Sequence, residues 1–257
     1  MKVFPSKTKN LVYFIYRLIR PILDPVNFYY GTTGYLGFIR DLIRYKTLAP
    51  SSQIFNENLY PILHEKVRYT PFDAHYFYQQ LWTFERILRR RPKRHVDIGS
   101  TYSMSGYISK ITNAVFVDIR PIQTSLKNLK IVEGDLVRLP FADNSIDSLS
   151  CLSVVEHIGL GRYGDPIDPL GTEKACNELL RVLAKGGRLY LSVPLGKNRI
   201  CFNAHRVHSA QTIMAYFEGL KLTEFSVVDD EGQFHEKIDY RKFSDLHYGC
   251  GLFEFSK

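Results

Sequence analysis

From Pro92 onward, short apolar runs alternate with amphipathic stretches, whereas the preceding part of the chain carries stripes of apolar residues at helical spacing. In that earlier part, Leu11, Phe14, Ile15, Leu18 and Ile19 recur with a helical period beside Lys9, Arg17 and Arg20, and Pro21 and Pro25 end the pattern. The turn Gly31-Thr-Thr-Gly34 leads to a second short amphipathic helix near Leu36–Tyr45. Asp73 is an N-cap candidate for one long helix to Arg90, with Phe77, Leu81, Phe84 and Leu88 as its apolar stripe. This helix runs into a cationic cluster of Arg86, Arg89, Arg90, Arg91, Lys93 and Arg94. Cations suit a helix C-terminus, so a solvated helix end is one reading and a phosphate-binding patch the other.

Beyond Pro92 the pattern predicts strands at His95–Ile98, Ala114–Asp118, Leu129–Glu133, Ser145–Cys151, Arg188–Val193, Leu222–Val228 and about Leu246–Phe255. Helices are predicted near Met104–Ile111, Gly171–Ala184, capped by Lys185-Gly186-Gly187, and Ala210–Phe217. Strands alternating with helices imply an α/β fold, a mostly parallel sheet covered on both faces. Residues 1–70 read as a basic, aromatic helical appendage and 71–257 as the main domain.

The composition, 45% hydrophobic and 23% charged, is that of a folded chain. The formal net charge of +8 is concentrated at one end. Residues 1–50 hold eight basic residues against Asp24 and Asp41, 8 − 2 = +6, leaving +2 for the rest. Nucleic acid is therefore not an expected partner. The appendage either packs on the main domain or docks, through residues 1–46, onto a membrane surface or an acidic protein. No apolar run reaches the roughly 18–20 residues needed to cross a bilayer, and no secretory signal is visible. Cys151, Cys176, Cys201 and Cys250 form no CxxC pair, which suits reduced thiols and a cytoplasmic location, with the inner membrane face as a peripheral option.

In open α/β sheets, ligands bind beyond the carboxyl ends of the strands. The first strand ends in Asp97-Ile-Gly99-Ser, the second in Asp118, and the third is followed by Gly134-Asp135. The fourth runs into Ser153-Val-Val-Glu156-His157. Acids at three successive strand ends can accept hydrogen bonds from a ribose diol or an exocyclic amine, and turn amides can hold an anion. The GxGxxG fingerprint of nicotinamide enzymes is absent, because Thr101 and Met104 occupy the matching positions.

The order Val96-Asp-Ile-Gly99, Phe116-Val-Asp118, Gly134-Asp135, Leu139-Pro-Phe-Ala-Asp-Asn-Ser-Ile-Asp147, Val155-Glu-His157 and Glu178–Gly187 resembles the S-adenosylmethionine-dependent methyltransferases with a seven-stranded Rossmann-like sheet. The resemblance covers about residues 75–257. The segments Gly159–Pro169 and Ala204–His208 are also similar to a little-characterised methyltransferase-like family often associated with bacterial surface-polysaccharide genes. The resemblance implies S-adenosylmethionine as cofactor. It implies that Asp97 and Gly99 hold its methionine part, Asp118 its ribose and Asp135 with Leu136 its adenine, with Ser153 near the sulfonium. One departure stands out: the second glycine of the usual turn is replaced by Thr101, followed by Tyr102.

Methyl transfer needs alignment and, for a hydroxyl acceptor, a base. His157 is the candidate base and Glu156 its orienting or acceptor-binding partner, against a structural reading in which both belong to a helix start. Arg162, Tyr163, Asp165 and Asp168 lie in a Gly/Pro-rich loop that could cover a substrate; Asp168 could equally cap the next helix. His205, Arg206 and His208 follow the fifth strand, with Arg206 as a candidate anion anchor. A metal at His205 and His208 is a weak option at this spacing, and none is expected. The reading is O-methylation of a sugar or glycan precursor, with a non-catalytic scaffold and an RNA methyltransferase as alternatives.

Overall fold

The computed structural model describes residues 11–12, 15–17, 19–20, 23–50 and 59–257, and they divide into two compact units, Met1–Pro71 and Phe72–Lys257. In the first unit, residues 11–12, 15–17 and 19 are helical, while Lys9, Phe14, Leu18 and Pro21 lie outside the described residues. Pro25 does not end a helix. It opens helix α1 (Pro25–Leu48) at the first-turn position, and the Asp24 carboxylate accepts from the amides of Val26 and Asn27, both at 3.0 Å. The expected turn at Gly31–Gly34 is absent, and α1 runs straight through it. Thr32 and Thr33 donate their hydroxyls back to carbonyls of the preceding turn. Gly34 has a packing role instead, since a Cβ there would lie 2.8 Å from Leu63 Cβ. No residue of α1 is buried.

The second unit begins with α2 (Ala74–Arg90), capped by Asp73 as expected. Its buried face is not the expected stripe: Phe77, Leu81 and Leu88 are exposed, and Gln79, Trp82, Thr83, Arg86 and Ile87 face inward. Arg86 is not part of a solvated helix end. Its guanidinium lies 4.2 Å from the Trp82 ring and pairs with Glu224 and with Glu236, the latter at 2.8 Å.

The strands β1 (Arg94–Ile98), β2 (Asn113–Asp118), β3 (Leu129–Glu133), β4 (Ile146–Leu152) and β5 (Leu183–Leu195) are mutually parallel. β10 (Gly249–Ser256) inserts antiparallel between β5 and β8 (Lys221–Val228), and the two-residue β9 (Phe234–His235) closes the edge. The order 3-2-1-4-5-10-8-9 is the expected mostly parallel sheet, extended by a short eighth strand. Helices α3 (Tyr102–Ile108), α4 (Gly171–Val182) and α5 (Ala210–Tyr216) complete the cover. In β2, Val115 and Val117 join one apolar layer with Leu179 of α4 and Ile213 of α5. Ala114 and Phe116 join the other, with Trp82 of α2 and Met104 of α3.

Several boundaries differ from expectation, α3 ending at Ile108 and β10 starting at Gly249 among them, and two have a clear cause. α4 stops at Val182 because the chain passes into β5 at Leu183, so Gly186, with φ +75°, sits within the strand and caps no helix. Pro194 does not end β5: the strand continues past it, paired with Cys250 of β10, and its carbonyl accepts from His208 N at 3.1 Å. A small hairpin, β6 (Arg199–Cys201) with β7 (His205–Val207), was not foreseen.

Candidate functional site

The crossover between β1 and β4 is where the sheet order reverses, and a cleft opens there beyond the strand ends. Gly99, Asp118, Gly134, Leu136, Ser153, His157 and Tyr163 line it, together with Arg120. Gly99 turns the chain out of β1 at φ +61°, and a side chain there would press on Val154. Thr101 needs no glycine: it has the extended conformation of an N-cap, φ −72° and ψ 134°. Tyr102 is exposed and does not line the cleft.

Beneath that turn lies a buried polar chain. Ser150 donates to Asp97 at 2.5 Å, so its oxygen accepts from Nε2 of His95 at 2.9 Å, and Ser148 donates to His95 Nδ1 at 2.8 Å. Ser100 and Ser105 each donate to Asp97 at 2.6 Å. Both carboxylate oxygens of Asp97 are thereby engaged below the cleft. Burial raises its pKa against the opposing effect of the three hydroxyls, and burial lowers that of His95 to about 3. Asp97 thus holds the turn and does not line the cleft. Asp118 does line it, accepting one hydrogen bond, from Arg120 N at 2.7 Å. Asp135 is exposed and accepts from Val137 N at 3.0 Å, while its neighbours Gly134 and Leu136 reach the cleft.

Past β4, Ser153 adopts φ +55°, a strained value for serine, and donates to Gln79 Oε1 at 2.8 Å. Glu156 and His157 follow in a 3-10 turn, Val155–His157, and both are buried. His157 Nδ1 lies 2.6 Å from the Ala204 carbonyl, which can only accept, so Nδ1 carries the proton and Nε2 is bare. Burial lowers the pKa of His157 to about 4 and keeps it neutral. Its Nε2 lies 3.8 Å from Glu156 Oε1. Burial raises Glu156 to about 8, and its Oε2 has no hydrogen-bond partner among the described residues.

A wall of rings extends from this pair. Tyr163 lies 5.6 Å from His157 between the guanidiniums of Arg120 and Arg162, at 4.6 and 5.1 Å. His205 lies 6.4 Å from His157 and 5.2 Å from Tyr248, which is 5.5 Å from His75. Burial, and then the Glu156 carboxylate, raise the hydroxyl pKa of Tyr76 and push that of Tyr248 to about 12. His75, Tyr76, Tyr248 and Gln79 were not singled out in the sequence. They come from α2 and from the turn before β10, away from the ends of the parallel strands.

Several candidates in the two loops are occupied by the loops themselves. Asp165 accepts from the amides of Gly159, Gly161 and Tyr163 at 2.7, 3.3 and 3.2 Å. Asp168 accepts from Leu170 N at 2.9 Å and pairs with Lys174 at 2.6 Å. Arg206 is buried and donates to the carbonyls of Ile158, Asp168 and Pro169, so it clamps the Gly/Pro-rich loop and anchors no anion. His208 is buried against Tyr216, with a pKa lowered to about 4 by burial. Arg162 stays at the rim, bonded to the Ala204 carbonyl at 3.1 Å. Among the described residues no group of three or more His, Cys, Asp or Glu is placed to hold a metal ion.

A family model described as "Caenorhabditis protein of unknown function, DUF268" matches residues 124–243, just under half of the chain. An uncharacterised protein of Methanocaldococcus jannaschii is 28% identical over 102 residues, 38% of this chain and 39% of that protein, so the match spans well under half of that relative. Among solved structures, one assigned as a sarcosine dimethylglycine methyltransferase from Galdieria sulphuraria aligns with a TM-score of 0.52 at 14% identity, covering 70% of this chain and 86% of that one. The N-methyltransferase NodS from Bradyrhizobium japonicum, solved with S-adenosyl-L-homocysteine, aligns with a TM-score of 0.47 at 12% identity over the same shares. The first of these two likenesses concerns the fold: the mostly parallel α/β sheet with its helices matches methyltransferase folds.

Proposed function

We propose that the chain is an S-adenosylmethionine-dependent methyltransferase acting on an oxygen of a sugar or glycan precursor. The observation that carries the reading is the cleft at the β1/β4 switch point, with a glycine turn and a ribose-competent carboxylate on one side and the Glu156–His157 pair beyond β4. The cofactor fits this site by its lining. The Gly99 turn lines the cleft with backbone, Asp118 has accepting capacity left for a diol, and Leu136 offers an apolar surface for a base. Bound there, S-adenosylmethionine would supply a methyl group already activated on a sulfonium.

The remaining work falls to the protein. Tyr248, His75 and His205 offer ring faces for the C–H faces of a sugar, and Tyr248 a hydroxyl for its polar rim. His157, which lines the cleft, takes the acceptor hydroxyl's proton on its bare Nε2, and Glu156, buried beside it with Oε1 3.8 Å away, orients it. Burial of the pair removes competing water.

Isothermal titration tests the cofactor half of the reading. Wild-type protein should bind both S-adenosylmethionine and S-adenosylhomocysteine, and Asp118→Ala should weaken both about 10- to 100-fold, as for loss of hydrogen bonds to a charged group. Absence of heat from either ligand on folded wild-type protein would replace the enzyme reading with a scaffold one. Transfer of a labelled methyl group to sugar acceptors tests the other half.

A further inference from the structure

Helix α1 carries large apolar side chains in the open: Phe28 is 75% exposed, Leu36 72% and Ile43 61%, and Tyr35 and Ile39 are exposed beside them. At 100° per residue these five positions fall on one face about 100° wide. Tyr29, also exposed, borders this face. An apolar surface of this kind on a single helix needs a covering phase.

The charges indicate which one. Arg40 and Arg44 flank the stripe and Lys46 sits at its end. The acids of the helix region are already paired: Asp24 holds the helix cap and Arg20, and Asp41 pairs with Lys66 and Arg40. Residues 1–71 carry ten basic and four acidic residues, 10 − 4 = +6 of the chain's +8. A second copy of α1 on this face would bring like charges together. Among the described residues no helix is long and apolar enough to cross a membrane, so a helix of this kind would lie on one.

We propose that α1 is a membrane-docking helix that lays its Phe28–Ile43 stripe into the headgroup boundary of an anionic bilayer, with Arg40, Arg44 and Lys46 held by lipid phosphates. Tyrosine rings suit that boundary because one end is apolar and the other polar. The proposal is independent of what the cleft binds.

The test is co-sedimentation of the full-length protein with vesicles of phosphatidylcholine alone and of phosphatidylcholine mixed with phosphatidylglycerol. Binding should be about tenfold or more stronger to the anionic vesicles and should weaken in high salt. The double variants Leu36→Asp/Ile39→Asp and Arg40→Glu/Arg44→Glu should each lose it. All four positions are exposed, and unchanged circular dichroism and melting confirm that each variant is folded. Equal binding to both vesicle types, no binding, unchanged binding by either folded variant, or self-association of lipid-free protein that Leu36→Asp/Ile39→Asp abolishes without vesicle binding would each overturn the proposal.

Discussion

A carboxyl group as deeply buried as that of Glu156, with one oxygen unpaired, leaves a signature in the pH dependence of stability. Its folded pKa of about 8 lies above the ordinary 4.5, so between those values the folded chain holds a proton that the unfolded chain has lost. Stability from this group is therefore complete below about pH 4.5 and falls as pH rises toward 8, by up to ~1.4 kcal/mol per unit. His157 and His208, with folded values of about 4, act in the opposite direction, but only below their ordinary 6.5. Between pH 7 and 8 the Glu156 contribution stands clear of theirs. Glu156→Gln should flatten the melting curve in that window, removing a fall of about 2–4 °C. An unchanged slope would mean that the carboxyl is not protonated in the fold. The positions of Gly99, Asp118 and Glu156 at or just past strand ends were legible in the sequence because strand ends can be counted in an alternating pattern. The position of Asp97 at a strand end was equally legible, but its occupation by Ser100, Ser105 and Ser150 was not, since Ser150 lies 53 residues away. His75 and Tyr248 were hidden for the same reason, being far apart in the chain and paired only by the fold.

At the scale of elements, the parallel strands were legible because each is a short apolar run whose alternate residues feed two apolar layers, as Val115 and Phe116 do. The helix faces were less so. α2 satisfies a helical period with Phe77, Leu81 and Leu88, yet turns its mixed face inward, because Arg86 finds both Glu224 and Glu236 there and Trp82 Nε1 donates to Glu224 at 3.1 Å. Periodicity registers apolar spacing and is blind to a buried ion pair. The Gly/Pro-rich loop shows a similar conversion of polar residues to structural use. Its fold rests on Asp165 from within and on the Arg206 fork from β7, which reaches Ile158 O at 2.5 Å and Thr172 Oγ1 at 3.2 Å. Arg206→Met removes the fork and leaves those carbonyls unpaired. It should cost about 2–3 kcal/mol and expose residues 159–169 to limited proteolysis. Arg206→Lys should rescue little, because an ammonium cannot bridge the carbonyls on both sides of the loop. A folded, protease-resistant Arg206→Met protein would show that Asp165 alone holds the loop.

For the molecule as a whole, the two units differ in the physics that shapes them. Among the described residues, every member of the two apolar layers comes from Ala74 or later. The sheet, its helical cover and the cleft are likewise drawn from after residue 72. Charge divides in the same way: with +6 in residues 1–71, residues 72–257 carry only +2. A core that is complete within one unit predicts autonomous folding of that unit. A chain of its length buries on the order of 70% of its unfolded surface, enough for a stable single core. The fragment 72–257 should therefore melt cooperatively within about 2–4 °C of the full chain, a shift worth no more than ~1 kcal/mol at this size. It should also titrate S-adenosylhomocysteine with an affinity like that of the whole protein. Circular dichroism melting and calorimetry of the two proteins side by side make the comparison. A fragment that aggregates or melts without a sharp transition would show that the first unit completes the core. A fragment that melts normally but loses the ligand would show that the first unit completes the site.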